Sequence, residues 1–356
     1  MLNNRRATVL LRGVTTHRAS PAAVVAAAAA FAVVVTSCGG SAKAPVAVPL
    51  PTAPEPAVSP PAAANLPGTI VNQAGSPEGV AITAGGIVGV NVRAPDGLVT
   101  FTLAPRSQPQ PTTTPLTGSA RHLTLGSAQG PFLVPQESDD RFVEVDPVSA
   151  KAVATVPVGR QPHDAIAVGS NEFFVADELA NTVHIVRDNT VVRVVPAPIQ
   201  PGGMAENAAG DRVIVVGVRG RRISEYKADG TLIGTANCGA GPTHAVTGSG
   251  GLFWVADTNG GAVLGFRLTA SGPQQVATLP VGSKPYGLAY DETRATLWVT
   301  LTGSDQLVGL HLRGTTVSSK TTYATVRQPN TVAVDEASGR LVVTGSTVPG
   351  SLQILG

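Results

Sequence analysis

Short apolar runs separated by polar turns recur along residues 66–356 of the chain. A run of small apolar residues, for example "AIAV" from Ala165, is followed by a turn and then by a second run such as "EFFVAD", "LFWVAD" or "RLVVTG". A third run ("NTVHIV", "GAVLGF") and a fourth ("ATVPVG", "ATLPVG") come after further polar loops. Apolar runs of roughly 4–8 residues bounded by Gly, Pro, Asn and Asp are typical of β-strands. The pattern therefore predicts an all-β chain in which groups of four strands repeat.

A proline opens each group except the second, where an alanine takes its place. The aligned positions are Pro77, Ala120, Pro162, Pro201, Pro242, Pro285 and Pro329. Successive positions are 43, 42, 39, 41, 43 and 44 residues apart. Four short strands in roughly 40–45 residues form one β-propeller blade, and neighbouring blades bury each other's faces. We therefore predict a seven-bladed β-propeller over residues 66–356, with four antiparallel strands in each blade.

The two ends of this region complement each other. The group that begins at Pro329 has room for three strands, whereas "GTIVNQAGSP" (68–77) supplies a strand that belongs to no preceding group. We predict that this N-terminal strand joins the last blade and closes the ring, which removes an open sheet edge. The first group carries "APRSQPQPTTTP" (104–115) in place of a clean outer strand, so the pattern does not fix the strand limits of blades one and two.

The second and third runs resemble a known repeat. "FFVADELANTVHIV" and "LWVTLTGSDQLVGL" are similar to the YVTN-type repeat of seven-bladed propellers, and "WVADTNGGAV" resembles the related NHL repeat. The resemblance covers residues 66–356 and implies the fold rather than an activity, because one fold hosts many functions. Lyases and lactonases on similar propellers act at the mouth of the central channel, which keeps an enzyme among the expectations.

In such a propeller the strand after each proline lines the channel, so the residues that follow the prolines converge on one ring. Four of them could hold a divalent metal, because imidazole and carboxylate groups are its usual ligands: Glu78, His122, His163 and His244. A further set is predicted to form a ligand-binding face: Asp164, Asp177, Asp257, Tyr286 and Asn330. Loops on the same face add other carboxylates: Glu137, Asp139, Asp140, Glu178 and Asp305. The alternative is structural, since polar groups at a channel mouth often brace turns or hold water, and Asp177 and Asp257 occupy a repeated "VAD" position typical of such bracing.

Other distinctive residues have simpler interpretations. Cys238 stands where Val158 and Val281 stand in other groups, which predicts a buried thiol. Trp254 and Trp298 share a repeated second-strand position and are predicted to lie in the core between blades. The arginines of "GVRGRR" (217–222) are either solvated or form a patch for an anionic partner. No nucleophile with a paired base is evident, so no catalytic residue is assigned.

The first 65 residues have the features of an export leader and a tether. Residues 1–37 combine four arginines with the apolar run "AAVVAAAAAFAVVV" (22–35), which predicts a secretory signal peptide. The segment "VTSCGG" resembles a bacterial lipobox, which implies cleavage before Cys38 and attachment of lipid to its sulfur. Residues 38–65 follow as a Pro/Ala-rich linker, which is predicted to be a semi-rigid spacer. The chain is therefore expected at the cell membrane, lipid-anchored on the extracytoplasmic side.

Composition narrows the function. Charged residues make up 13% of the chain and the net charge is +2, so it lacks the basic surface that nucleic-acid binding requires. We expect a monomeric binding or scaffold module for a protein or a cell-envelope ligand, with no cofactor unless a divalent metal binds at the mouth. A metal-dependent lyase or hydrolase, and a factor for envelope assembly, remain alternatives.

Overall fold

A computed structural model describes residues 49–104 and 109–356, and the compact unit within it is Pro49–Gly356. The predicted signal peptide and Cys38 lie outside the described residues. Within these residues, antiparallel strands form seven sheets of four strands each. A 3-10 turn at Ser249–Gly251 is the single helical element of this part of the chain, which holds no helix long and apolar enough to cross a membrane. The predicted all-β seven-bladed propeller is confirmed.

The strands are numbered in chain order. The closing strand and the first three blades comprise β1 (Thr69–Gln73), β2 (Ser76–Ile82), β3 (Ile87–Arg93), β4 (Gly97–Thr102), β5 (Thr112–Pro115), β6 (Thr124–Leu125), β7 (Phe132–Gln136), β8 (Arg141–Val145), β9 (Ala152–Pro157), β10 (Pro162–Val168), β11 (Glu172–Asp177), β12 (Thr182–Arg187) and β13 (Thr190–Pro196). The remaining blades comprise β14 (Pro201–Glu206), β15 (Arg212–Gly217), β16 (Arg222–Lys227), β17 (Leu232–Asn237), β18 (Pro242–Thr247), β19 (Leu252–Asp257), β20 (Ala262–Thr269), β21 (Gly272–Pro280), β22 (Pro285–Asp291), β23 (Thr296–Leu301), β24 (Gln306–Arg313), β25 (Thr316–Ala324), β26 (Pro329–Val334), β27 (Leu341–Gly345) and β28 (Gly350–Leu355).

The strand after each repeat position lines the channel. The first strands of neighbouring blades contact one another around a closed ring, in the order β2, β6, β10, β14, β18, β22, β26 and back to β2. Second strands such as β19 and β23 are buried at every residue, because both faces of the sheet are covered by neighbouring blades. Outer strands such as β25 are exposed along most of their length.

The hydrophobic core lies between blades rather than within each one. Phe174 of blade three packs with Val213 and Tyr226 of blade four in one cluster. Trp254 packs with Val299 of the next blade in another, so the predicted core position of the tryptophans is confirmed. Because no blade buries its own faces, the blades stabilise one another.

The ring closes as predicted from the two termini. Strand β1 pairs antiparallel with β28, with Thr69 opposite Ile354 and Gln73 opposite Gly350. The last blade therefore combines three C-terminal strands with one N-terminal strand. Blade two departs most from the repeat, since β6, which follows Ala120 instead of a proline, has two residues.

The structure confirms that Cys238 is buried, as its position in the repeat predicted. Its thiol is free and the residue is fully buried, in a cluster with Ile223 and Leu264. Burial raises the pKa of the Cys238 thiol, and the nearby Asp257 adds to that effect. The cysteine is therefore part of the core and not a nucleophile.

Candidate functional site at the channel mouth

A β-bulge at the start of the inner strands directs the residues after the prolines toward the channel. The pairing of β10 with β11 shifts between Pro162 and Asp164, and that of β18 with β19 shifts between Pro242 and Ala245. A bulge adds a residue to one strand and re-aims its side chains. The inner strands also approach closely here, since a Cβ at Gly203 would lie 2.7 Å from the backbone nitrogen of Ala245.

Three histidines meet at this end of the channel. The ring centroids of His122 and His163 are 4.4 Å apart, and those of His122 and His244 are 4.7 Å apart with the rings nearly parallel. Tyr286 packs edge-on against His244 at 4.5 Å. The sequence-predicted histidines from blades two, three and five therefore form one cluster.

His163 lies between two glutamates. Its Nδ1 is 2.7 Å from Oε1 of Glu137 and 3.7 Å from Oε2 of Glu178. Burial by itself would lower the pKa of His163, but the hydrogen bond and charge of Glu137, with Glu178, raise it. Burial would likewise raise the pKa of Glu137, but the hydrogen bond and charge of His163 lower it. Arg121 lowers it further, since its Nε lies 3.2 Å from Oε2 of Glu137. Each partner of the pair therefore favours the charged form of the other.

His244 has the opposite character. Burial, followed by the neighbouring His122 and His163, lowers its pKa well below the ordinary value. Its Nδ1 is buried and finds no hydrogen-bond partner among the described residues. His244 therefore favours the neutral form, and its ring stacks on His122, which in turn contacts His163.

Glu78 does not join the histidines. Its carboxylate pairs with Arg93 and accepts a hydrogen bond from Nδ2 of Asn330 at 3.0 Å. The predicted quartet of metal ligands is therefore not assembled, because the charge of Glu78 is neutralised on the blade-one side of the mouth. The group whose ligand atoms lie within 4.8 Å of one another is Glu137, His163 and Glu178.

The five residues of the predicted ligand face separate into two groups. Tyr286 and Asn330 lie at the mouth, and Asp164 lies beside it, with Oδ1 3.2 Å from Nδ1 of His122 and Oδ2 accepting the backbone N–H of Met204 at 2.8 Å.

Asp177 and Asp257 do not face the mouth. Asp177 is fully buried against His184 and Thr182, and Asp257 accepts backbone N–H groups, including that of Gly241 at 2.7 Å. Their carboxylates brace the loops of their own blades, as the structural alternative predicted. They are therefore not part of the ligand face.

Two glutamines at the mouth were not predicted from the sequence. Nε2 of Gln161 donates to Glu178 at 2.7 Å, and Nε2 of Gln200 donates to the other oxygen of the same carboxylate at 2.5 Å. Both precede the inner-strand proline and have a positive φ, of 55° and 56°, as does Gln328 at 57°. The repeated dipeptide Gln-Pro is the signal that could have identified them. Left-handed non-glycine residues are uncommon and cluster at functional sites.

Part of the predicted linker covers the mouth. Ala53, Pro54 and Glu55 line a cavity together with His163 and Tyr286. That cavity measures about 30 Å³, and a second of about 110 Å³ lies beyond the histidines in the channel. Organic ligands usually need roughly 300 Å³ or more. The space between residues 53–55 and the histidines therefore fits an ion or water, whereas a cavity of about 290 Å³ lies beside it at the mouth, lined by Glu55, Glu78 and Arg93 among others.

Two kinds of chemistry suit this arrangement. One imidazole and two carboxylates can hold a divalent cation, provided that His163 loses its proton. His163, whose pKa is raised, and His244, whose pKa is lowered, both contact His122, and such a set of imidazoles can serve as an acid and a base.

Comparisons with known proteins support the fold. No model of a protein family matches the sequence, and no curated protein sequence matches it. The chain is similar to the solved structure of virginiamycin B lyase from Staphylococcus aureus, with a TM-score of 0.67 at 12% identity over 81% of this chain and 98% of that one. It is also similar to hydrazine synthase of Kuenenia stuttgartiensis (TM-score 0.66, 13% identity, 80% and 96% covered) and to the Swd1 β-propeller domain of Myceliophteria thermophila (0.66, 13%, 82% and 98%). At these identities the likeness shows a shared β-propeller architecture and not a shared activity.

Proposed function

We propose that this chain is a lipid-anchored, extracytoplasmic β-propeller of the YVTN/NHL type that binds a protein or a cell-envelope ligand at its channel mouth. The observation that carries the proposal is the convergence of three histidines, Glu137, Glu178 and Arg121 on one end of the channel. Loops from several blades surround this cluster, as they do in binding faces built on rigid scaffolds.

The anchor rests on the leader. A basic segment, an apolar run and Cys38 follow one another in the order that lipoprotein export requires. We expect the full-length chain to fractionate with membranes and to incorporate radioactive palmitate. The Cys38→Ser variant should lose the label and leave the membrane fraction, and a label that persists in this variant would contradict the anchor.

Ligand binding can be tested by photocrosslinking in intact cells. A photoreactive amino acid at Leu179, which is 54% exposed in a loop at the mouth, should give a discrete crosslinked product. The matched control is Val148, which is 83% exposed in the loop between β8 and β9 at the opposite face. The same product from both positions, or no product from Leu179, would argue against the mouth as the binding face.

A metal-dependent enzyme is the second candidate, and the Glu137–His163–Glu178 group favours it. In this case His163 and the two glutamates would hold a divalent cation, and His244 would act as a neutral base close by. Calorimetric titration with Mg²⁺, Mn²⁺ and Zn²⁺ tests it: stoichiometric binding should be lost in His163→Ala and kept in His311→Ala, whose imidazole contacts Thr296 on blade six. Equal binding to both variants, or to neither, would exclude this site.

A further inference from the structure

Residues 51–60, "PTAPEPAVSP", form a strap that crosses the channel mouth from one side of the ring to the other. At blade four, Nε of Arg219 donates to the carbonyl of Pro51 at 2.9 Å. Ala53, Pro54 and Glu55 then pass over the axis beside His163 and Tyr286. The sequence predicts a semi-rigid spacer here, and the structure holds the strap to the propeller at both of its ends.

The end of the strap is fixed at blades six and seven. The N–H of Ala57 donates to Oγ1 of Thr302 at 2.9 Å, and its carbonyl accepts from Nε2 of Gln328 at 2.8 Å. The Ser59 hydroxyl donates to Asp305 and accepts the backbone N–H of Gln328 at 2.6 Å. Side chains of Thr302 and Gln328 therefore bind the backbone of the strap at Ala57.

These contacts define what the groove recognises. Pro54 and Ser59 are buried, whereas Val58 between the contacts is 91% exposed. Proline lacks an N–H and favours an extended chain, so little conformational freedom is lost when such a segment binds. Glu55 is exposed at the rim of a cavity in which Arg93 pairs with Glu78, so the side chain at this point of a bound peptide is not specified by charge. The groove thus fits an extended chain with a buried proline and, five residues later, a buried serine.

We propose that the mouth face is a docking groove for extended proline-rich peptide segments, and that the strap occupies it in cis. The partner in trans is a Pro/Ala-rich segment of another protein that displaces the strap and uncovers the histidine cluster. This inference rests on the proposed ligand-binding function and specifies the chemistry of the ligand. A tethered segment competes at an effective concentration on the order of millimolar. The strap therefore sets a minimum affinity or concentration that a partner needs in order to displace it.

The test uses the full-length chain in detergent and a fluorescent peptide with the sequence of residues 49–62. Ala57→Pro removes the N–H that Thr302 accepts, and Ser59→Ala removes the hydroxyl that bonds Asp305, so the double variant loosens the strap and leaves the groove intact. We expect the peptide to bind the double variant at least about tenfold more tightly than the wild type, because the competitor is weakened. Val58→Ala is the matched control on the strap, since it removes an exposed side chain, and it should behave as the wild type.

A groove variant completes the design. Gln328→Ala, added to the double variant, should weaken peptide binding about tenfold or more, because it removes the side chain that bonds the peptide backbone. Circular dichroism verifies that this variant is folded. Equal peptide binding by wild type and double variant, or no effect of Gln328→Ala, would overturn the proposal.

Hydrogen exchange gives a second readout that needs no peptide. The amide of Ala57 should be protected in the wild type, because it donates to Thr302, and exchange at the free rate would overturn the cis contact. The result is independent of the cellular crosslink from Leu179. If the peptide binds and no cellular product forms, the proposed function fails and the groove stands; if the product forms and the peptide does not bind, the reverse holds.

Discussion

At the scale of single residues, the mouth contains ionisable groups whose neighbours decide their charge. His163 and Glu137 stabilise each other's charged forms, while His244 is kept neutral within the same cluster. His163 directly follows Pro162, whereas His244 is the second residue after Pro242, so the two imidazoles with different charge occupy different positions in the repeat. The difference comes from Glu137, which reaches His163 from blade two.

The His163–Glu137 pair predicts a pH-dependent contribution to stability. The pKa of His163 is raised, so its contribution is complete below the ordinary value of 6.5 and is lost as pH rises through the folded value. The pKa of Glu137 is lowered, so its contribution is present above 4.5 and is lost as pH falls through the folded value. In chelator, His163→Gln should therefore lower the free energy of unfolding most at about pH 6, by roughly 1–3 kcal/mol, and less at about pH 9.

The control for this prediction is the same substitution in a Glu137→Gln background. There the pH dependence of the difference should largely disappear, because the charged partner is gone. A His163→Gln effect that is constant from about pH 5 to about pH 9 would show that the pair contributes no charge-dependent stability.

Glu206, at the other end of its inner strand, behaves differently. Burial raises the pKa of this half-buried carboxyl to about 7. Since the folded value lies above the ordinary one, folding is opposed as pH rises and the group ionises. Glu206→Gln should stabilise the protein at about pH 8 by roughly 1 kcal/mol after screening by solvent, and should have no stabilising effect at about pH 4.

The measurement is denaturant unfolding at both pH values, with exposed Glu292→Gln as the matched variant. A gain of similar size from both substitutions would point to net charge instead of burial as the cause.

At the scale of elements, the closing strand β1 joins the ends of the ring. Val71 is half-buried and packs against the core cluster shared by blades one and seven, opposite Leu352, whereas Ile70 on the other face is 41% exposed. Successive side chains of β1 therefore point to opposite faces, one packed against the core and the other exposed to solvent.

This alternation predicts different effects of one substitution at neighbouring positions. Val71→Asp should lower the free energy of unfolding by roughly 2–4 kcal/mol, because it replaces buried apolar surface with a charge. Ile70→Asp introduces the same charge on the exposed face and should cost less than about 0.5 kcal/mol. Urea unfolding measures both, and equal losses would mean that β1 does not pair in this register.

At the scale of the whole molecule, the interblade cores and the ring closure link every blade to its neighbours. The cluster around Trp298 includes Val332 and Val343 of blade seven, and the cluster around Trp254 includes Val299 of blade six. An open array of repeats can unfold from its ends, but a closed ring has no end. We therefore expect residues 66–356 to unfold as one unit.

Trp298→Ala tests this cooperativity. The substitution should cost roughly 3–5 kcal/mol at the interface between blades six and seven. Fluorescence then reports Trp254 in blade five, while circular dichroism reports all strands, and the two transitions should still coincide. Separate transitions would show that the interface can open without unfolding blade five.

The sequence by itself determined the architecture of this protein. Strand length, turn residues and the spacing of prolines are local properties, and they indicated seven blades, the inner position of the strand after each proline, and the closure by residues 68–77. The burial of Cys238, Trp254 and Trp298 followed from the same repeat, because equivalent positions in a repeat have equivalent surroundings.

Only the tertiary structure decided which side chains pair with one another at the channel mouth. Whether Glu78 meets a histidine or Arg93 depends on side-chain directions set by the bulges, and the sequence does not specify those directions. That geometry places Glu137 and Glu178 beside His163, where the sequence had predicted Glu78. It also gives Asp177 and Asp257 their bracing roles. The strap was hidden for a related reason: its partner Gln328 lies 271 residues from Ala57 along the chain, and no local pattern encodes a contact of that range.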